Sequence, residues 1–546
     1  MINYTINLKD MFLKFWQKIN NYPIIFLGSL ILGILFDYLF YKKYAGINTF
    51  IFVSILLLLF ILFTIFIFKK HFNHWILLSL PVLILSMDLV LYNNGYVRFL
   101  VPIIMVVLLL IITQTGLQRI FTTSAFLLDY MANGIADALQ SFFYLFVNFF
   151  NLPKDLFRHE KDSLINKILI GILISIPIVV ILGALLASAD MIFNLYVNDL
   201  FHGLSIDALY QIAIIVLITM FFYSFAKIYL NGKHVSKAEM IETSVNNFKK
   251  KLDPVIVTII LASVNLLFVC FIIIQFRYLF YGFSELVQKG VSYAEYSHRG
   301  FGELIFVSLL IFSALLCFYY FTDYKNKRQI VVSKILNTLL IIQTVVIAIS
   351  AFKRLNLYEI AYGFTYLRIY VQGFIIWLCL IFAILLINIL VDRFKNFRDV
   401  IVVFSVIFAT LTFSFNIDDF IVKQNIARYV AGNQNIDVIY LTSYLSADAI
   451  PEIVANFDQL KLVKVKTRDL DPYQNDCYKT PNNYPGADYE ERLMNCLNKE
   501  IVVEEYLKGY LSKQYNNLKK ITTWQEYNLG RQLALKALEN YYNGQK

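Results

Sequence analysis

The sequence predicts an all-α membrane protein: a polytopic bundle of about eleven transmembrane helices with a cytoplasmic amino terminus, followed by a small helical domain on the extracytoplasmic side. Three observations carry that prediction. Of 546 residues, 59% are hydrophobic and only 16% charged, against about 45–50% apolar and about 25% charged in soluble chains. The apolar residues come in long unbroken blocks rather than alternating. Lysine and arginine are distributed unevenly between the segments that join the blocks.

A helix needs about 20 apolar residues to cross a hydrocarbon layer of about 30 Å. Blocks that meet or approach this length lie at 24–41, 47–68, 76–92, 99–117, 168–188, 209–227, 255–275, 303–322, 335–352, 369–391 and 400–416. Continuous hydrophobicity favours helices over barrel strands, which alternate. Residues 1–23 then form a cytoplasmic segment, 24–416 the bundle and 417–546 the outer domain.

Orientation follows from the joining segments. With the amino terminus inside, the inner segments carry 23 Lys and Arg and the outer ones 9, the bias expected of cytoplasmic loops. An odd number of spans leaves the tail outside. Residues 120–150 are set apart because Asp129, Asn133, Asp137, Gln140, Tyr144 and Asn148 recur every three or four positions. That stripe predicts an amphipathic helix lying in the inner interface, its phenylalanines, Phe142 and Phe143 among them, in lipid; the alternative is a twelfth span, which would reverse the side of every later loop.

The tail reads differently. It holds 16 basic and 17 acidic residues, leaving 32 basic and 21 acidic on the first 416, so the overall charge of +10 belongs to the membrane part. Basic residues scattered between apolar blocks face anionic lipid; a clustered basic stripe suited to nucleic acid is missing, and no nucleic-acid partner is expected. Within the tail, TWQEYNLGRQLALKALENYY predicts one helix, with Thr523 and Glu526 as a capping box and Leu529, Leu533 and Leu538 at helical spacing. Another helix begins in LSADAIPEIV, capped by Ser446 or Asp448 with Pro451 in its first turn. Cys477 and Cys496 are the tail's only cysteines. On an oxidising side they are expected to form a disulfide; the alternative is two reduced thiols.

Candidate functional residues fall into two groups. Asp37 and Asp88 lie inside apolar blocks, where a charge costs about 2.5–3.5 kcal/mol on insertion scales. Their readings are an interfacial carboxylate or a proton-coupled path. A denser set gathers at the predicted outer ends of the seventh to tenth spans. YAEYSHRGFGEL supplies Glu295, His298, Arg299 and Glu303, and FKRLNLYEIAYGFTYLRIYV supplies Arg354, Glu359, Tyr362 and Arg368. Opposite charges at a membrane surface can tie loops together or hold a polar headgroup. One histidine with two glutamates is a poor metal set; no metal, cofactor or catalytic residue is assigned. GxxxxGK[ST], HExxH and GxSxG are all missing.

The segments YAEYSHRGFGEL, YGFTYLRIYV, NIDDFIVKQNIARY and DVIYLTSYLSADAIPEI, in that order, resemble the successive motifs of a bacterial polytopic membrane family catalogued as a domain of unknown function. The resemblance spans about residues 290–455 and implies a multi-pass protein of a bacterial cell membrane, with no reaction attached. Three functions are therefore open. The first is a non-enzymatic envelope sensing, binding or regulatory protein with a protein partner at its cytoplasmic loops. The second is a transporter or lipid flippase. The third is a membrane-embedded transferase acting on lipid-linked substrate, with Glu295, Glu303 or Glu359 as base.

Overall fold

The computed structural model describes residues 21–66, 74–117, 127–157, 206–231, 252–280, 301–324, 326–391, 397–432, 436–466, 498–520 and 523–544. The described residues are 87% helical with almost no sheet. It divides into two compact units: residues 1–90, 102–234 and 523–527 in one, and 91–101, 235–522 and 528–546 in the other.

The first unit holds α1 (Asn21–Phe40), α2 (Ile47–Phe66), a 3-10 turn at His74–Leu78 leading into α3 (Ser79–Leu91), most of α4 (Gly95–Leu117), α5 (Leu127–Phe157) and α6 (Ile206–Asn231). α1 packs along α6 because Gly33 lets the backbones touch: a Cβ there would lie 2.2 Å from Thr219 Oγ1 and 2.7 Å from the Ile215 carbonyl oxygen. Close approach at small residues is how helices associate in lipid, where burial supplies no hydrophobic drive. Residues 523–527 also belong here, with Tyr44 N donating to Glu526 Oε1 at 2.7 Å and Ile47 N to the Tyr527 carbonyl at 3.0 Å.

α5 coincides with the predicted amphipathic helix, but its polar stripe is not turned uniformly to water. Asp137, Ser141 and Asn148 are buried against neighbouring helices, and Asn148 Nδ2 donates to Ser224 Oγ at 3.0 Å. Phe142 and Phe143 are 54% and 73% exposed. Polar groups that find partners on α6 need no water, while the outward phenylalanines suit apolar surroundings.

The second unit contains α7 (Pro254–Phe280), α8 (Phe301–Phe321), α9 (Lys327–Tyr362), α10 (Tyr366–Val391) and α11 (Phe397–Phe413). Helix α9 packs against α7, α8 and α10 around Leu340, Ile341, Ile347, Leu378 and Phe382. Several polar side chains within these helices bond to backbone carbonyls, while Asn265 Oδ1, Gln343 Oε1 and Ser350 Oγ are buried without a hydrogen-bond partner among the described residues. Thr344 Oγ1 donates to the Leu340 carbonyl at 2.7 Å, and Gln343 Nε2 to the Asn265 carbonyl on α7 at 3.3 Å. Outward positions stay greasy: on α7, Val255, Ile256, Ile259, Leu266, Leu267 and Ile273 are each more than half exposed. Such a surface would aggregate in water and is at home in lipid.

Seven described helices are long and apolar enough to cross a membrane, or eight if α11 and the following helix, bent by 60°, count as one broken span. The sequence predicts eleven. The difference lies in the blocks at 76–92 and 303–322, whose apolar helices are shorter (Ile76–Leu91 and Leu304–Phe318), in the bent block at 400–416, and in 168–188, which lies outside the described residues. α9 is longer than the predicted block at 335–352. Its 36 residues reach about 54 Å at about 1.5 Å per residue. That exceeds a hydrocarbon thickness of about 30 Å, so α9 is longer than an upright span requires.

The rest of the second unit is α12 (Ile417–Val430), α13 (Val438–Ser443), α14 (Ile450–Ala455), α15 (Phe457–Leu460), an antiparallel pair β1 (Lys464–Lys466) and β2 (Glu500–Val502), α16 (Glu504–Lys519) and α17 (Leu529–Gly544). Ile421, Val438, Leu441, Ile450, Leu460, Leu507, Leu511 and Leu538 make one core, which also takes in Tyr366 from α10. Ser446 Oγ accepts from Asp448 N at 3.2 Å as predicted for a cap. At the carboxyl end the predicted single helix is instead broken. Trp524–Glu526 is a 3-10 turn in which Thr523 Oγ1 donates to Glu526 Oε2 at 2.6 Å, and Asn528 Oδ1, accepting from Arg531 N at 3.0 Å, starts α17. Leu533 is half exposed while Leu538 is fully buried.

Candidate functional site

Helix α9 ends where Gly363 turns the chain with φ of +85°, a left-handed conformation that disfavours side chains. Space also requires glycine, since a Cβ would lie 2.5 Å from Asn425 Oδ1 and 2.9 Å from Arg428 Nη1. The turn is clamped from α12 and α13. Phe364 N donates to Asn425 Oδ1 at 2.8 Å, Asn425 Nδ2 donates to the Phe364 carbonyl at 2.9 Å, and Tyr366 N donates to Tyr440 Oη at 2.9 Å. Arg368 donates to the Gly363 carbonyl and Arg428 to the Ile360 carbonyl. The Arg368 guanidinium lies 4.3 Å from the centroid of the Tyr358 ring, a cation–π contact. Between these groups is a polar cavity of about 140 Å³, lined among others by Thr365, Arg368, Asn425, Arg428, Asp437 and Tyr440.

Beside it sits a buried carboxylate knot. Asp418, fully buried on α12, accepts from Asn94 Nδ2 at 2.6 Å, from Ser446 N at 2.7 Å and from Tyr366 Oη. Asn94 also caps α4, its Oδ1 accepting from Tyr96 N at 2.8 Å. Asp448 is buried too, and its Oδ2 accepts from Asn93 N at 2.6 Å. Its Oδ1 has no hydrogen-bond donor and faces Gly530, where a Cβ would stand 1.7 Å away. Burial first, and the neighbouring Asp418 charge second, push the Asp448 carboxyl up to about 7; the Asn93 N–H, Ser446 and Arg98 act the other way. Arg531 Nε donates to Asn93 Oδ1 at 2.9 Å, and Asn528 Nδ2 to the Tyr92 carbonyl at 2.8 Å. Tyr92, Asn93 and Asn94, an unremarked turn between α3 and α4, thus each bind residues beyond 410.

Of the residues singled out from sequence, Glu359, Tyr362 and Arg368 come together at this end of α9 and α10. Glu359 is buried and accepts from Gln372 Nε2 at 2.5 Å, and Tyr362, half exposed, packs on Tyr358 with ring centroids 4.9 Å apart. Arg354 is half-buried five residues before Glu359. Glu295, His298, Arg299, Cys477 and Cys496 lie outside the described residues, and Glu303 is in the first turn of α8. Asp37 is half-buried in the last turn of α1, and Asp88 is buried on α3. Among the described residues no group of three or more His, Cys, Asp and Glu could hold a metal. Sequence reasoning passed over Asp418, Asn425, Arg428 and Tyr440, and took Asp448 only as a candidate helix cap. All five stand within the quoted motifs, but Asp418 reads as an ordinary acidic first-turn residue, and Asn425, Arg428 and Tyr440 as solvated polar positions.

The family described as a domain of unknown function, DUF4153, matches residues 75–456, more than half of the sequence. The chain belongs to that family. No curated relative and no solved structure matches. The DUF4153 region contains every residue of the Arg-lined cavity and both aspartates of the knot; Asn528, Gly530 and Arg531, which close the knot from α17, lie past its end. Three of the four motifs read from sequence meet here, as Gly363 and Arg368, Asp418 with Asn425 and Arg428, and Tyr440 with Ser446 and Asp448.

Proposed function

We propose that this DUF4153 protein is a non-enzymatic binding and regulatory component of a bacterial cell membrane, with about eleven spans, a cytoplasmic amino terminus and the segment after Asn416 on the outer side. The observation that supports it most is the joint construction of one polar cavity by the α9–α10 turn and by α12 and α13. A site assembled from both can sense occupancy at the membrane surface and pass it to the bundle, because Asn425 and Tyr440 hold the backbone of the same turn that leads into α10. The basic segments between spans would meet a protein partner on the inner side.

Complementation tests this reading. A chain truncated after Asn416 is expected to insert normally and to fail to restore the phenotype of a deletion strain; full restoration by the truncated chain would remove the proposal. A second reading, a transporter or flippase, is favoured only by Asp88, a carboxylate buried within an apolar helix. Lipid or solute flux in liposomes that disappears in Asp88→Asn would replace the first reading by this one.

A further inference from the structure

We infer that the cavity between Arg368 and Arg428 is a binding site for a phosphate oxyanion, carried either by a lipid headgroup or by a free phosphate; this deepens the proposed function and rests on it for its biological role. Two guanidiniums line one small space and feel each other's charge. Neither makes a salt bridge among the described residues. Each uses donor capacity on one backbone carbonyl, Gly363 for Arg368 and Ile360 for Arg428, out of the five N–H donors a guanidinium carries.

The remaining polar groups of the wall also leave donors over. Tyr440 Oη accepts from Tyr366 N, so its own proton is free to be donated, and burial pushes its phenol up to about 12, which keeps that proton in place at any physiological pH. Nearby carboxylates do not neutralise the pair by contact. Glu359 accepts from Gln372, and the exposed Asp437 is engaged as the cap of α13, accepting from Tyr440 N at 2.9 Å. A space with two cationic forks and a hydroxyl donor against one carboxylate, Asp437, and with its amide already closed on Phe364, carries a net positive charge and favours a ligand that accepts. Tetrahedral phosphate oxygens match a guanidinium fork in two-pronged geometry, and such charge-assisted bonds are the strong ones. The volume, about 140 Å³, leaves room for a phosphate group.

The full chain in lipid nanodiscs provides the test, with inorganic phosphate as soluble probe and phosphatidylglycerol in a phosphatidylcholine background as lipid probe. Binding of one or the other is expected, weakened on the order of 10-fold or more in Arg428→Gln and Arg368→Gln. Arg428→Lys, which keeps charge and fold but lacks the fork, should fall between. Lys423→Gln, on an exposed side chain of the same helix, should bind like wild type. Saturable phosphate binding in pure phosphatidylcholine identifies the free anion; enrichment of phosphatidylglycerol around wild type, lost in Arg428→Gln, identifies the headgroup. Failure of the wild-type chain to bind either probe, or equal binding by wild type, Arg428→Gln and Arg428→Lys, would overturn the site. Loss of the ligand with complementation intact would instead count against the proposed function alone.

Discussion

Asp418→Ala is expected to destabilise the second unit by about 3–5 kcal/mol. Asp418 is fully buried, and its two oxygens take hydrogen bonds from Asn94 Nδ2, Ser446 N and Tyr366 Oη. Truncation strips three donors of their acceptor at once, and a buried unsatisfied donor costs about 1–3 kcal/mol. A cavity opens as well, in the core that contains Ile421, Val438 and Leu441. Asp418→Asn keeps one accepting oxygen but turns an amide towards existing donors, so roughly half the loss is expected. Thermal or denaturant unfolding of the purified protein in detergent reads both. A midpoint for Asp418→Ala equal to that of wild type would mean that the knot does not hold α12 to the 92–94 turn.

The second large effect depends on pH. Asp448 carries a carboxyl raised to about 7 in the folded chain from an ordinary 3.8. A raised carboxyl binds its proton better in the folded state, so its contribution to stability is complete below about pH 4. It is lost progressively as pH rises to about 7 and stays lost above that. At about 1.4 kcal/mol per pH unit, the fall between pH 4 and 7 amounts to about 4 kcal/mol. Asp448→Asn should remove this slope. It preserves an acceptor for Asn93 N, and its amide supplies a donor on the side where Oδ1 has none and where the Leu91 carbonyl oxygen also lies close to Gly530. Above pH 7 the variant is therefore expected to unfold at a higher temperature than wild type, with equal midpoints near pH 4. Parallel pH profiles for the two proteins would refute the assignment of the slope to Asp448.

Much of the helical layout was legible in the sequence because lipid imposes a simple demand, continuous apolar length, that any reader of the chain can measure. Helix α9 shows where this fails. Its apolar centre at 335–352 was visible, but Lys327, Arg328, Lys353 and Arg354 look like ends of a span, and only tertiary packing continues the helix through them to Tyr362. The site was half legible. Glu359, Tyr362 and Arg368 stood out as charge and aromatic density near a span end. Their partners Asn425, Arg428 and Tyr440 lie about 60–80 residues further on, at spacings that look solvated. The burial of Asp418 and Asp448 was hidden for a physical reason: a carboxylate at a helix start is stable in water too, and nothing local reveals that each takes a donor from a turn more than 300 residues earlier in the chain.

Amide hydrogen exchange compared between the full chain and the chain truncated after Asn416 tests the central claim most directly, that the carboxyl-terminal segment is built into the ends of the bundle rather than tethered to them. Segments 92–98 and 362–370 are predicted to exchange slowly in the full chain, because Asn93 N, Phe364 N and Tyr366 N donate to Asp448, Asn425 and Tyr440, and to lose that protection on truncation while the centres of α7 and α9 keep theirs. Equal protection of 92–98 and 362–370 in both chains would contradict it.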